Sequence, residues 1–322
     1  MTASTVPDRA TGQRRTTGTR RAGSSHGWKV RWSYIYLMPF MILVALFTIY
    51  PIIASIGYSF IKWDGLSAPD GFVGLENFVQ IASDHFFWKS VLHSLWYAAC
   101  VVPIQLFIAL TLALILNRPR FRFTSVYRSM FFLPAVMSPA ILAVVFRLLI
   151  SALGVDWLGD PDVVMWVIIV IGIWQTLGYN LVYFLAGLQT IPFELYEAAE
   201  VDGAGWLGRL RHITLPGLKN ISVVILLMAI LGSLNVFDLV MVLTGGGPYF
   251  ASSVTNTYIY QLAFGNFYSG AGASSTVEQN VGLASAGSVF YGLMLLGLTL
   301  IQFVALTRIR KKTADQNRGA IG

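Results

Sequence analysis

Charge is scarce in this 322-residue sequence. Only 11% of its residues are charged, 56% are hydrophobic, and the mean hydropathy is +0.66. Soluble domains carry roughly 25% charge, so that class is excluded. Cysteine is nearly absent. Cys100 stands alone, which rules out a disulfide within the chain and leaves a thiolate metal site without support. No G-x-x-x-x-G-K-[ST] loop, H-E-x-x-H or C-x-x-C occurs, so the chain lacks the usual means of cradling ATP or holding zinc. The four histidines, His26, His85, His93 and His212, are scattered and read as structural or interfacial. The glycines at 245–247 follow an apolar run rather than a strand. They read as a tight turn and not as a nucleotide loop.

What is present is length without charge. Six apolar runs, 34–61, 91–116, 126–150, 163–187, 221–243 and 283–307, are each long enough to cross a hydrocarbon core as a helix. The expected fold class is an all-α polytopic membrane protein with six transmembrane helices. The first run is too long for a signal peptide, and no small-residue cleavage pattern follows it. Residues 1–30, rich in Ser, Thr, Gly and Arg, read as a disordered basic tail. Residues 31–310 read as the membrane domain and 311–322 as a second tail. No internal repeat is apparent, and an ion-coupled secondary transporter commonly shows one.

The net charge of +7 is a topology signal rather than a nucleic-acid signal. Of the 22 basic residues, all but Lys62, Lys89 and Arg147 fall in the two tails and in the second and fourth connections. Basic residues favour the cytoplasmic side. Both termini and the fourth connection are therefore expected inside, with a weak added pull toward anionic lipid. Arg147, at the end of the third run, reads as a snorkelling side chain.

That fourth connection, 188–220, is unusual for a polar loop. "EAAEVDGAGWLGRLRHITLP", 197–216, mixes acids with Val201, Trp206, Leu207, Leu210 and Ile213. Pro192 suits the first helical position and Glu194 the first turn. Gly203 suits a left-handed stop. A second short helix over 206–214 is expected, ended by Pro216. The result is a small helix–turn–helix whose apolar surface needs a cover, either a partner protein or the lipid surface.

The same segment resembles the EAA loop of binding-protein-dependent ABC importer permeases, through Glu197, Ala198, Ala199, Asp202, Gly203, Ala204, Ile213, Leu215 and Pro216. It departs at Lys219 and Leu210. "FVGLENFVQI" (72–81), "RSMFFLPAVMSPAILAVVF" (128–146), "LAGLQTIPFELYEAA" (185–199) and "FDLVMVLTGGGP" (237–248) are similar to the carbohydrate-uptake, maltose-type branch. The resemblance runs over about 34–310. It implies the type I importer fold in a bacterial or archaeal cell membrane, with Glu197, Ala198, Ala199, Asp202, Gly203 and Ala204 in a coupling helix that docks on an ATPase subunit. It also implies a second permease subunit, an external solute-binding protein and a sugar substrate. ATP and Mg would sit on the partner subunits, with no cofactor and no catalysis on this chain. A permease for glycerol phosphate or another polyol is the alternative.

Polar groups inside apolar runs are costly in hydrocarbon and tend to face a cavity or a partner. A sugar site needs aromatic faces and amides or acids. Trp174, Gln175, Tyr179, Asn180 and Asn235 are the candidate substrate-pathway residues, with Gln105 beside them. Inter-helix hydrogen bonding is the competing use of such amides. Asn235 and Asp238 are spaced to share one helix face. Asp238 is expected near the outer edge, bracing the "TGGGP" turn.

Overall fold

Proline decides where the long apolar runs bend. The computed structural model describes residues 26–117, 124–265 and 277–319. Most of the N-terminal tail, Arg118, Arg120 and Arg122 of the second connection, and part of the 244–282 connection lie outside them. The chain forms two units, Met1–Ile53 and Ala54–Gly322. In the first, α1 (His26–Val44) passes into a π-helical turn (Ala45–Ile49). The large apolar side chains described there, Phe40, Phe47 and Ile53 among them, are exposed, as a helix facing hydrocarbon requires. Helix α1 begins inside the stretch expected to be unstructured.

The second unit takes up the chain within α2 (Tyr50–Tyr58). A two-residue antiparallel pair follows, Ile61 against Phe72 and Lys62 against Gly71. The buried Asn77 of α3 (Glu76–Ser83) donates to the carbonyls of Ser59 and Ile61, both at 3.0 Å, and pins this loop. Helix α4 (His85–Leu116) is N-capped by Asp84, whose carboxylate accepts from the Phe86 amide at 2.8 Å.

Helices α4 and α7 (Val164–Leu188) form the central packed pair. Two apolar clusters flank it. One joins Tyr97, Val101, Ala143, Ile168, Leu239 and Leu243; the other joins Ala109, Ala113, Leu181, Leu185, Leu218 and Ile225. A third, including Ile81, Phe87, Tyr258 and Leu283, gathers α3, α4, α12 (Thr255–Phe264) and α13 (Val281–Gly319). Helix α12 lies between the fifth and sixth apolar runs, beyond the glycines at 245–247. Helix α13 runs past 310 because Lys, Arg, Ala and Gln sustain a helix beyond the apolar stretch.

Among the described residues, five helical stretches are long and apolar enough to cross a membrane, and six if a bent pair counts as one. The bent pair corrects the third expected span. Helices α5 (Thr124–Val136) and α6 (Pro139–Ala152) meet at 94°. The cause is local: Ser138 precedes Pro139 and sits at φ −59°, ψ 131°, outside the helical region that a following proline disfavours. The fifth expected span is also interrupted. Helix α10 (Leu215–Leu234) ends at Asn235, Phe237 turns to φ −146°, and α11 (Asp238–Leu243) starts afresh. Asn235 and Asp238 therefore do not share a helix face. Nor does Asp238 brace the glycine turn. Thr244 and Ser252 hold it through a 2.8 Å hydroxyl pair, Ser252 donates to the Gly247 carbonyl at 2.6 Å, and Gln261 donates to the Gly245 carbonyl at 2.6 Å.

Helix α7 crosses α5 closely at Gly178, where a Cβ would lie 2.6 Å from the Phe131 carbonyl oxygen and 2.9 Å from Phe132 Cα. Small residues permit such approach in membrane helices. Gly178→Ala should therefore destabilise the purified protein by about 1–3 kcal/mol, lowering its unfolding midpoint in detergent. Gly292→Ala, at a position with nothing within 4 Å of the added carbon, should leave the midpoint unchanged.

Candidate translocation cavity and coupling loop

Helix α7 presents Gln175, Thr176, Tyr179, Asn180 and Tyr183 along one face, since 100° per residue brings positions i, i+1, i+4, i+5 and i+8 together. All five line one cavity of about 750 Å³. Its other walls are Tyr97 and Gln105 from α4, residues 135–139 at the α5–α6 break, and Asn235 to Leu239 at the α10–α11 break, together with Met228, Ala229, Gly232 and Ser233. Both helix interruptions thus open onto the same space. Asn235 is exposed and donates to the Leu231 carbonyl at 2.9 Å, and Tyr291 donates to the Leu234 carbonyl at 2.8 Å. The Leu234 carbonyl, beyond the last helical amide of α10, is thus satisfied by a side chain.

Of the five residues expected on a substrate pathway, the cavity gathers Gln175, Tyr179, Asn180 and Asn235. Trp174 is not among its lining residues. One position before Gln175, it lies nearly opposite the lining face and packs edge-on against Phe146 at 5.5 Å. Gln105 is buried and accepts from the Thr176 hydroxyl, while Asn180 donates to the Thr176 carbonyl at 3.2 Å. Gln105 thus ties α4 to α7 and Asn180 bonds to its own helix, while both line the space. Tyr97, Ser138, Thr176, Tyr183 and Ser233 also line it and were not singled out. The eight-residue reach of Tyr183 from Gln175, two helical turns and a little more, was the signal available for it. Arg147 lines a separate cavity of about 380 Å³ with Asp156, Gly159 and Thr244.

At the other end of α7 stands the motif loop. Helix α8 (Phe193–Val201) has Pro192 as its N-cap, one position before the expected place, and Glu194 in its first turn. Its C-terminus is a double closure. The Ala204 amide donates to the Ala199 carbonyl at 2.8 Å and the Gly203 amide to the Glu200 carbonyl at 3.1 Å, with Gly203 at φ +73°. That is the Schellman pattern, which demands a left-handed residue at Gly203's position. Ala199, Gly203 and Ala204 are thereby explained as a helix stop. Glu197, Ala198, Asp202 and Gly203 are exposed, and Ala199 and Ala204 half-buried. Arg209 pairs with Glu200 at 3.2 Å across the turn, and Tyr196 shares a 3.0 Å hydrogen bond with the buried Thr214.

The expected separate helix ending at Pro216 is corrected. Helix α9 (Trp206–Arg209) continues through a π-helical turn (Leu210–Thr214) directly into α10. The Leu215 amide reaches back five residues to the Leu210 carbonyl, and the wider turn accommodates the missing Pro216 N–H. The first helix uses the same device before Pro51, where the Tyr50 amide donates to the Ala45 carbonyl. The loop leaves Phe193, Leu195, Val201, Trp206 and Leu207 exposed, Val201 at 89%.

Comparison with known proteins accords with this architecture. The model of the family described as binding-protein-dependent transport system inner membrane component matches residues 105–315. Over 286 residues the chain is 33% identical to the probable ABC transporter permease protein YurN of Bacillus subtilis (strain 168), covering 84% of this chain and 94% of that one. Over 293 residues it is 31% identical to the trehalose/maltose transport system permease protein MalF of Thermococcus litoralis, covering 86% and 94%. Its fold is similar to that in a crystal structure of a bacterial ABC transporter involved in the import of the acidic polysaccharide alginate. There the TM-score is 0.71 at 24% identity, over 88% of this chain and 98% of the other. This chain therefore belongs to the family of binding-protein-dependent transport system inner membrane components, the permease subunits of ABC importers, and has the type I importer fold.

Proposed function

We propose that this chain is one of two permease subunits of an ATP-driven sugar importer, and that the 750 Å³ cavity is its share of the solute path. The observation that carries the reading is the meeting of Gln175, Tyr179, Asn180 and Asn235 on one polar and aromatic space bounded by two broken helices. Irregular backbone at membrane depth is tolerated where it lines a cavity or is buried in protein. Amides and tyrosines supply the hydrogen bonds and flat faces that a sugar ring uses. Asn235→Ala and Tyr179→Ala should each reduce uptake by the complete importer, while assembly and ATP hydrolysis stay measurable. Wild-type uptake kinetics in both would reduce these residues to helix packing.

The loop 188–220 is the joint to an ATPase subunit. It faces the cytoplasm, as do both termini. Its exposed Phe193, Leu195 and Val201 form apolar surface that a second protein would cover, and its Schellman stop fixes the angle at which α8 leaves α9. ATP and Mg belong to that partner, and solute arrives from an external binding protein. A β-branched residue at φ +73° strains the backbone by about 1–2 kcal/mol. Gly203→Val should therefore uncouple solute-stimulated ATP hydrolysis with the subunit still in the membrane. Full stimulation in that variant would remove the loop from the coupling path. For the orientation, a membrane-impermeant thiol reagent applied to Cys100→Ser cells should label Asp70→Cys directly, and Gly205→Cys only after permeabilisation. Direct labelling at 205 would invert the topology.

A further inference from the structure

The residues lining the large cavity include Asp238 and no Lys, Arg or His. Asp238 is exposed at the start of α11 and faces this space alongside Asn235 and Phe237. Among the described residues the one salt bridge joins Glu200 and Arg209, so no cation neutralises Asp238. Arg147 belongs to the separate cavity. Backbone does not reverse the sign. Each helix break offers the cavity one C-terminus and one N-terminus, α5 with α6 and α10 with α11, so their partial charges oppose one another. The remaining polar lining, Gln175, Thr176, Asn180 and Asn235 among it, is neutral, and Tyr97, Tyr179 and Tyr183 add hydroxyls and ring faces.

We infer that this cavity admits an uncharged polyhydroxylated solute and that Asp238 turns anionic solutes away. The inference rests on the cavity being the solute path and narrows the substrate class of that path. A phosphate or uronate group would meet a carboxylate with no compensating cation among the described residues that line the cavity. At about 8 Å and an effective dielectric constant of about 20, one like charge disfavours an anion by some thirtyfold. A neutral sugar loses nothing by this, and one of its hydroxyls can donate to the carboxylate. The cavity is therefore unsuited to glycerol phosphate or to an acidic saccharide, while neutral mono- and oligosaccharides match its donors, acceptors and rings.

The sign of the cavity can be read without knowing the solute. In the complete importer carrying Cys100→Ser, Asn235→Cys places a thiol in the cavity. Its rates with a trimethylammonium-bearing and a sulfonate-bearing methanethiosulfonate are each divided by the rate with a free thiol in solution. The cationic reagent should be favoured, and adding Asp238→Asn should shrink that preference by roughly tenfold or more. Equal rates, a preference for the sulfonate, no response to Asp238→Asn, or no reaction with either reagent would each overturn the inference. Uptake by the otherwise wild-type importer of maltose, sn-glycerol 3-phosphate and digalacturonate forms the second arm, with maltose expected to enter and the two anions not. Entry of an anion in place of maltose would overturn the charge selection while leaving the importer reading intact. A cationic labelling preference without entry of any of the three would sink the sugar assignment and leave the sign of the cavity standing.

Discussion

A backbone amide in hydrocarbon has no water to turn to, so each one must find its partner within the protein. The rest of this structure follows from that demand. Unbroken helices satisfy it by themselves, and α4, α7 and α13 do so over 32, 25 and 39 residues. Where the chain departs from a helix, a local substitute appears. Asn235 and Tyr291 take up carbonyls at the end of α10, and Ser252 and Gln261 take up those of the glycine turn. Before Pro51 and Pro216 the substitute is a π turn, in which the preceding amide reaches one residue further back.

Polar side chains near the cavity therefore answer to two demands at once. Gln105, Thr176 and Asn180 tie α4 to α7 and α7 to its own backbone, and the same groups give the cavity its polar lining. A variant at any of them would alter both the packing and the lining of the cavity. Asn235 and Asp238 are more exposed and sit at a helix break, so they bear less of the packing.

Composition alone made the class of fold legible, because an apolar run of membrane length has few alternative readings. The motif around Gly203 was legible for a stronger reason. Only glycine takes φ +73° without strain, and its neighbours Ala199 and Ala204 are the two ends of one hydrogen bond. The breaks were harder to see. Hydropathy does not change across Ser138–Pro139 or Asn235–Phe237, so a window that sums apolar character runs straight through both. Ser-Pro was a local cue for the first, and Asn235 three residues after Gly232 for the second. The lining face of α7 was legible in part. Polarity singled out Gln175 and Asn180, but a cluster within seven positions goes round more than one turn, and so Trp174 was counted with residues that point the other way. Thr176 and Tyr183 were passed over because neither is conspicuous in an apolar helix.

The continuity of α9 into α10 has a mechanical meaning. From Trp206 to Leu234 the chain is one helical rod, about 43 Å long at 1.5 Å per residue. One end carries the loop joined to α8 by the Tyr196–Thr214 and Glu200–Arg209 contacts, and the other carries Gly232 and Ser233 in the cavity wall. A tilt of about 5° about one end would sweep the other through nearly 4 Å on that length, more than the width of a hydrogen bond. If the motif loop is the joint proposed above, a rod so placed would work as a lever, with that loop as its handle and a wall of the chamber as its tip. The π turn at Leu210–Thr214 lies close to the loop end of the rod, so any slack would sit there and not at the cavity wall.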